Sequence, residues 1–336
     1  MDDITSWPAQ SPNAAPQRWY RLHGMYWHTD APLHADVVRV PADQVDSPGF
    51  EVVSYRTAAA GMVCPAGDEQ LLEWTEGSGS DAIVVRLLRR CDGSFKFVHR
   101  MTCFTISADL KEVVGFPGPL DDEQWLTVLI EGWVAALLIW LRGDAVLHAS
   151  AVVVDGRLTA FVGRSGQGKS TIAAALCSAG ATLFTDDVLR VGLDSAGQRC
   201  CASVGSSGLR LRANSSFRQP VPDGASLAAV HGRTVATLTR PLLTDLALDR
   251  IVIPIVLHTV SDTEPFVRLG EREALMALLQ FPRLFHWVDP WCRGEEFKRV
   301  AEIASAVPVY QLTLAAGDVD AARIGTQLAE LAEDAP

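Results

Sequence analysis

Paired cysteines and an excess of positive charge are both missing from this sequence, and each absence excludes a class of protein. The seven cysteines include no C-x-x-C pair, which zinc sites and dithiol redox sites commonly require. Aspartate and glutamate number 40 against 29 lysine and arginine residues, giving a formal net charge of -11. Such a charge repels nucleic-acid backbones and anionic lipid, so we expect neither nucleic acid nor a membrane as a partner.

Targeting and membrane-spanning segments are also lacking. The first residues, MDDITSWPAQSPN, have neither the basic start nor the apolar stretch of a secretory signal peptide. The longest apolar run, Leu126 to Leu141, has 16 residues where a bilayer requires about 20, and Glu131 interrupts it. We therefore predict a buried helix at this position and a cytoplasmic protein.

The composition is that of a folded protein with more than one domain. The chain has 336 residues, of which 48% are hydrophobic and 21% are charged. Residues 1–20 are rich in Pro, Ser, Asn and Gln and predict a loose tail. Residues 21–118 contain short β-like runs separated by Pro, Gly and Asp, and predict a β-rich region. We expect residues 119–336 to form an α/β domain.

Four tryptophans fall in the first 118 residues, namely Trp7, Trp19, Trp27 and Trp74. Because large aromatic side chains at this density usually pack in a core, we favour core positions for them. A peptide-binding face is the alternative.

A glycine-rich loop in the C-terminal part carries the most specific motif of the sequence. Asp155-Gly156 between two apolar runs predicts a hairpin, whose second strand leads into GRSGQGKS and then an Ala-rich helix ending at Gly180. The loop matches G-x-x-x-x-G-K-[ST] between a strand and a helix, the context that phosphate binding requires. Glycines let backbone N–H groups turn toward an anion at the positive end of the helix. We therefore predict that ATP is bound by Gly163, Arg164, Ser165, Gly166, Gln167, Gly168, Lys169, Ser170 and Thr171.

Two of these side chains have specific expected partners. Lys169 should reach the β- and γ-phosphates, and the hydroxyl of Ser170 should bind Mg²⁺.

An Asp-Asp pair follows the loop at short range. Asp186 comes 17 positions after Lys169, with one helix and one short strand in the interval. We expect the loop strand and the Asp strand to be parallel neighbours, which would place both carboxylates beside the γ-phosphate at the carboxyl ends of the strands. One carboxylate would then hold the metal and the other would accept the proton of an attacking hydroxyl. A solvated Asp-Asp turn is the alternative.

The arrangement resembles the catalytic domain of bacterial HPr kinase/phosphorylase, a P-loop protein-serine kinase family related in fold to phosphoenolpyruvate carboxykinase. The family pattern is a His that opens a hairpin, a G-x-S-G-x-G-K-S loop, a helix, and a strand ending in Asp-Asp-Val. The matching residues are His148, Gly163, Ser165, Gly166, Gly168, Lys169, Ser170, Asp186, Asp187 and Val188. The resemblance implies an α/β fold, with a P-loop domain of this type on a mixed sheet, preceded by a β-rich N-terminal region.

By the same resemblance, the protein is an ATP-dependent kinase that phosphorylates a Ser or Thr hydroxyl of a peptide or protein, which is a ribosomal precursor peptide in some similar proteins. Asp186 is then the base or acid at the acceptor hydroxyl, and Asp187, His148 and Lys169 complete the catalytic set. Ser170 and Asp187 are the implied metal ligands. A homo-oligomer is compatible with the family.

The sequence also departs from the family pattern. Thr171 stands where family members carry Glu, and their C-terminal Arg-Glu and glycine-containing loop has no counterpart, so we do not expect phosphorylase activity. Two alternatives stay open: a kinase for a small-molecule hydroxyl, and a non-catalytic binding module that responds to ATP.

Several arginines are candidates for holding phosphate or substrate: Arg164, Arg210, Arg212, Arg233 and Arg240. Arg210 and Arg212 alternate as on one face of a strand and could line a cleft together. Solvated surface positions are nevertheless the favoured interpretation, because isolated surface charges are common.

Overall fold

The computed structural model describes residues 18–41, 44–45, 47, 50–58, 68–76, 83–119, 121–194, 196–212, 221–230, 233–257, 266–315 and 319–333. Residues 1–17 of the predicted tail, including Trp7, lie outside this set. Residues 18–20 do not belong to a tail, because they begin the first strand, β1 (Arg18–Leu22). Buried side chains alternate with less buried ones along this strand, and β1 pairs with β2 (Met25–Thr29) in a hairpin.

Where the structure describes the N-terminal part of the chain, it is a nine-stranded mixed sheet, as the short β-like runs predict. Its other strands are β3 (Asp36–Val37), β4 (Val52–Thr57), β5 (Glu69–Glu76), β6 (Ile83–Arg89), β7 (Phe95–His99), β8 (Thr102–Ile106) and β9 (Glu112–Phe116). The order is β3-β1-β2-β4-β9-β8-β7-β6-β5; among these described strands the β2–β4 and β4–β9 pairs are parallel and the others antiparallel. Trp27 is fully buried, as expected for a core residue, whereas Trp19 and Trp74 are partly exposed.

A long apolar helix packs against this sheet. It comprises α1 (Glu123–Leu129), a π-helical turn (Ile130–Val134) and α2 (Ala135–Leu141). By length and composition this helix could cross a membrane, with a mean hydropathy of 1.6, but 72% of the apolar window is buried inside the protein. Its side chains share one hydrophobic core with the N-terminal sheet, so the prediction of a buried helix is confirmed.

After the long helix, the described residues of the C-terminal part form a second mixed sheet, a small third sheet and four helices. Its strands are β10 (Ala145–Leu147), β11 (Ala149–Val154), β12 (Arg157–Val162), β13 (Thr182–Thr185), β14 (Leu189–Leu193), β15 (Cys200–Ser203), β16 (Gly208–Arg212), β17 (Ser226–Val230), β18 (Arg233–Thr237), β19 (Leu246–Leu257), β20 (Val267–Arg268) and β21 (Val309–Ala315). Its helices are α3 (Lys169–Ser178), α4 (Glu271–Leu278), α5 (Pro290–Ala306) and α6 (Ala321–Glu333). The large sheet has the order β10-β14-β15-β19-β12-β11-β13, with β21 also on β19, and β16, β18 and β17 form the third sheet. The fold is therefore a mixed α/β fold with two large mixed sheets.

The hairpin that leads into the glycine-rich loop forms as predicted. β11 and β12 pair antiparallel up to Val154 and Arg157. Asp155 and Gly156 between them have positive φ angles of 50° and 74°. A two-residue turn with two positive φ angles matches the twist of the flanking strands, and this explains the Asp-Gly pair.

The expectation that β12 and β13 are direct neighbours is wrong. Both strands pair antiparallel with β11, so they run parallel to each other with β11 between them. The reason is that the hairpin partner of the loop strand already occupies the adjacent edge. As a result β11, and Ser150 on it, lies between the loop and the Asp pair.

The two parts of the chain are packed together across the predicted boundary at residue 118. The core around the long helix includes Leu284 and Trp287 from the C-terminal part. Arg190 of β14 also donates to Glu51 at 2.8 Å and to the backbone oxygen of His23 at 3.0 Å. The β-rich region thus forms one wall of the space next to the glycine-rich loop.

Candidate active site

The glycine-rich loop connects β12 directly to α3, in the strand–loop–helix order that the motif requires. Gly166 and Gly168 have φ angles of 93° and 83°, which other residues adopt only with strain. Gly168 is the N-cap of α3 and supplies no side chain to bond the first N–H groups of the helix. These uncapped donors, at the positive end of the helix dipole, are suited to bind an anion.

Lys169, which ends the glycine-rich turn and begins α3, is buried. Its Nζ donates to the backbone oxygens of Gly163 at 2.7 Å and Arg164 at 3.0 Å. Burial lowers the pKa of Lys169 to about 8, because removing the ammonium group from water disfavours its charged form. The side-chain oxygen of Gln167 accepts from the backbone N–H of Arg164 and closes the outer side of the loop.

Asp186 lies at the end of β13 and contacts the loop serine directly. Its Oδ1 accepts from the hydroxyl of Ser170 at 2.8 Å and from the hydroxyl of Ser150. Its Oδ2 accepts from the backbone N–H of Arg210 at 2.7 Å. Burial raises the pKa of Asp186 above its ordinary value. Asp186, not the implied metal ligand Asp187, is therefore the carboxylate beside Ser170.

Asp187 has its own set of partners. Its Oδ2 accepts from Arg210 Nη1 at 2.6 Å and from Arg283 Nη2 at 3.1 Å, and its Oδ1 lies 3.3 Å from Nε2 of His148. Burial by itself would raise the pKa of Asp187, but Arg283 and Arg210 outweigh it and hold that pKa well below its usual range. Burial also lowers the pKa of His148 to about 3, so the imidazole is neutral near pH 7. The alternative of a solvated Asp-Asp turn is thus wrong.

Arg210 corrects the surface interpretation of the downstream arginines. Its side chain is 5% exposed and bridges Asp187 to Glu131 Oε2, the latter at 3.2 Å. Arg240 is also buried, against Asp36 and backbone oxygens that include Phe184 O at 2.7 Å. The partners of both arginines are distant in the sequence, so the local sequence pattern does not reveal these contacts. The remaining candidates, Arg164, Arg212 and Arg233, are exposed as expected.

Glu131 is a site residue that the sequence pattern did not assign. It lies in the π-helical turn, is 1% exposed, and accepts from the backbone N–H of His34 as well as from Arg210. The helix also approaches the site at Gly132, where a Cβ would lie 2.9 Å from Arg210 Nη1 and 3.0 Å from Asp187 Oδ2. A single carboxylate in an apolar helix is costly to bury without a partner. This feature of the sequence could have identified Glu131 as a site residue. Arg283 and Ser150 carried no such signal.

Two neighbouring cavities at the loop share lining residues, including His148, Ser165 and Asp187. The smaller, about 100 Å³, is lined by both aspartates, His148 and the loop residues Ser165, Gly166, Gly168, Lys169, Ser170 and Thr171. The larger, about 970 Å³, is lined by Asp187 and His148 but not by Asp186, and extends between the loop and the N-terminal sheet. A third cavity, on the outer side of the loop at Gln167, has about 410 Å³. Asp187 is therefore the carboxylate that faces the larger space.

Comparison with known proteins gives structural similarity that is weak in the example described here. No protein-family model matches the chain, and no curated protein matches it. Among solved structures, the chain is similar to the HPr(Ser) kinase/phosphatase from Coxiella burnetii, with 12% sequence identity and a TM-score of 0.29 over 56% of this chain and 96% of that chain. A similarity of this degree says nothing about function, and membership of that family stays a prediction.

Proposed function

We propose that the protein is an ATP-dependent kinase that transfers the γ-phosphoryl group to a Ser or Thr hydroxyl of a peptide or protein. The observation that carries this proposal is the contact of 2.8 Å between Ser170 of the loop and Asp186, with Asp187 beside it facing a cavity large enough for an acceptor. Asp186 thus lies next to the proposed phosphate site, and Asp187 lies next to the open cavity.

The phosphate groups would be bound by backbone and cationic side chains. The first N–H groups of α3 provide donors in the loop, and Lys169 provides the ammonium group at its centre. Arg212 and Arg233 line the same small cavity. Among the residues that the structure describes, no carboxylate forms a salt bridge with either arginine, so both are available to an anionic ligand.

Ser170 and Asp186 are suited to Mg²⁺, which takes oxygen ligands and usually keeps one or two protein ligands together with substrate phosphates and water. Their oxygens are hard donors, 2.8 Å apart, at the place where the loop meets the strand end. When bound there, the ion would neutralise charge on the β- and γ-phosphates. This assigns the metal site to Asp186 in place of Asp187.

Asp187 would act on the acceptor. In the transfer step, the acceptor oxygen forms a bond to the γ-phosphorus, the bond from that phosphorus to the β–γ bridging oxygen breaks, and ADP leaves. The hydroxyl proton passes to a carboxylate oxygen of Asp187. Arg210 and Arg283 fix the carboxylate from one side, and neutral His148 can donate its Nε2–H to the other oxygen. A carboxylate of low pKa is a weak base, which suffices because the proton leaves late in a loose phosphoryl-transfer transition state.

The direct test of the proposal is phosphate transfer from labelled ATP. Purified protein, Mg²⁺ and γ-labelled ATP are incubated with a degenerate peptide library that carries one fixed Ser or Thr. We expect label on the hydroxyl of a subset of peptides. ADP formation that depends on a small hydroxyl compound and labels no peptide would favour the small-molecule kinase. Tight ATP binding without any transfer would favour the binding module.

Replacing Lys169 with Met should reduce ATP affinity by roughly 100-fold or more, because a buried cationic partner of the phosphates is removed. The matched control is Lys298→Met, an exposed lysine on α5, which should leave ATP affinity unchanged. Titration of both variants with a fluorescent ATP analogue measures the effect. Equal affinities in the two variants would contradict the assigned role of Lys169.

The lowered pKa of Lys169 predicts how ATP binding responds to pH. The ammonium form binds phosphate, and in the free protein it loses its proton above pH of about 8, well below the ordinary value of 10.5. The dissociation constant for ATP should therefore be flat from pH 6.5 to 7.5 and then rise by up to about tenfold per pH unit above 8. The Lys169→Met variant should lack that rise. A wild-type profile that matches the variant across this range would show that Lys169 does not titrate in the site.

A further inference from the structure

The larger cavity, which we call the acceptor cleft, has walls from three separate parts of the chain. Trp74 and His99 come from the N-terminal sheet, Trp133 from the π-helical turn, and Phe285 from the segment after α4. At about 970 Å³ it lies near the upper end of ligand pockets, which span roughly 300–1,000 Å³. The glycine-rich loop, Asp187 and His148 line the same cleft.

One guanidinium group joins the apolar wall to the proposed catalytic carboxylate. The Cζ atom of Arg283 lies 4.6 Å from the ring centroid of Trp133, and its Nη2 donates to Asp187 at 3.1 Å. The guanidinium group of Arg283 therefore separates the aromatic wall from an acceptor oxygen bound at Asp187. In an extended peptide, residues i and i+2 point to the same side and are separated by about 7 Å.

The charge of the cleft is opposite to that of the whole chain. Arg100, Arg164, Arg212 and Arg233 line it, although the net charge of the protein is -11. Within the described part of the chain, none of these four arginines forms a salt bridge to a carboxylate. Arg212 and Arg233 also line the phosphate cavity, but Arg100 lies by the N-terminal sheet and is free of that role. This arrangement favours an acceptor that carries negative charge beyond its reactive hydroxyl.

The ring arrangement favours a peptide over a nucleic acid. Trp74 is already stacked on His286 at an interplanar angle of 11° and meets Phe285 edge to face. Trp133 is stacked on Phe97 and covered by Arg283. These rings support one another as a wall, whereas proteins that bind single-stranded nucleic acid present open ring faces to the bases.

We propose that the acceptor cleft binds an extended acidic peptide and selects a large apolar or aromatic side chain two residues from the phosphorylated Ser or Thr. This inference rests on the proposed kinase function. It adds a specificity site formed by Trp74, Trp133 and Phe285, with Arg100 facing the acidic part of the peptide.

The test is a positional scan with the degenerate Ser/Thr peptide library and the wild-type protein. We expect Phe, Trp or Leu to be preferred over Ala at position +2 or -2, with a change of roughly 10- to 100-fold in kcat/KM, carried by KM. In the Trp74→Ala variant this preference should shrink by at least about tenfold, while ATP affinity stays at the wild-type value. The matched control is Trp291→Ala, a tryptophan that is 62% exposed and does not line the cleft, which should keep the full preference.

The outcomes separate the two levels of the proposal. If no peptide in the library is labelled, the kinase proposal fails and this inference fails with it. If peptides are labelled without preference for an apolar neighbour, or if Trp74→Ala keeps that preference, only the acceptor cleft is wrong. Competition of labelling by a single-stranded oligonucleotide at micromolar concentration would also overturn it in favour of a nucleic-acid ligand. An Arg100→Ala variant should lower the preference for acidic residues without changing the apolar preference.

Discussion

The Asp187→Asn variant is expected to transfer phosphate to peptide about 10² to 10⁴ times more slowly than the wild type, with its affinity for ATP and Mg²⁺ retained. The amide has nearly the same shape but cannot accept the hydroxyl proton, and general-base contributions have about this size. Asp187 lines the acceptor cleft and lies 3.3 Å from His148, so the loss should fall on the transfer step. Single-turnover kinetics with labelled ATP and a peptide acceptor measure it.

The change also removes negative charge beside Arg210 and Arg283, so the rate must be expressed per ATP-binding site. Sites are counted by titration with a fluorescent ATP analogue, and the thermal midpoint is recorded for each preparation. Asp92→Asn, at an exposed turn between β6 and β7, is the matched control and should keep the wild-type rate. A folded Asp187→Asn protein with a rate within about threefold of the wild type would remove Asp187 from the mechanism.

The neighbouring Asp186→Asn variant distinguishes the two carboxylates. Asp186 contacts Ser170 and does not line the acceptor cleft, so its replacement should raise the Mg²⁺ concentration for half-maximal rate by roughly 10- to 100-fold. Much of the rate should return at high Mg²⁺. Titrating Mg²⁺ in both variants tests this, because the roles assigned here are reversed if Asp187→Asn is the variant that high Mg²⁺ rescues.

The elements that the sequence predicts correctly are those specified by adjacent residues. Asp155-Gly156 specifies the hairpin through its positive φ angles, and the loop glycines with the Ala-rich segment specify the turn into α3. The predicted tail extends three residues too far, because the first 20 residues are polar as a whole whereas the strand begins at Arg18. Local signals therefore located the loop and the Asp pair but not their surroundings.

The parts of the site that the sequence does not predict depend on contacts between distant residues. Strand order is set by pairing, and the insertion of β11 between β12 and β13 brings Ser150 to Asp186. Arg210 resembles an ordinary surface arginine because its partners are 23 and 79 positions away. The division of roles between the aspartates follows from these partners, since donors from Ser170 hold Asp186 while two arginines hold Asp187.

Replacing Arg210 with Met should lower the free energy of unfolding by about 3–5 kcal/mol, which is typical when one partner of a buried ion pair is removed. Glu131 is 1% exposed and, of its described partners, would keep His34 and the hydroxyl of Ser206, while Asp187 would keep Arg283 and His148. The matched control is Arg212→Met, two positions along the same strand but exposed, which should change stability by less than about 0.5 kcal/mol. Urea denaturation at pH 7.5 measures both variants.

A second variant tests whether this loss of stability comes from the unpaired charge of Glu131 or from the lost packing of the Arg210 side chain. Glu131→Gln combined with Arg210→Met should be more stable than Arg210→Met alone, because the buried carboxylate no longer needs a cation. In the wild type, His34 and then Arg210 overcome the burial penalty and keep the pKa of Glu131 below its ordinary value. This stabilisation is therefore present above pH of about 4.5 and is lost as the pH falls through the lowered value. Without Arg210, burial should raise that pKa, and the deficit of the single variant should shrink between pH 7.5 and 5. Equal stability losses in the single and double variants at every pH would show that Arg210 acts through its packing, not through its charge.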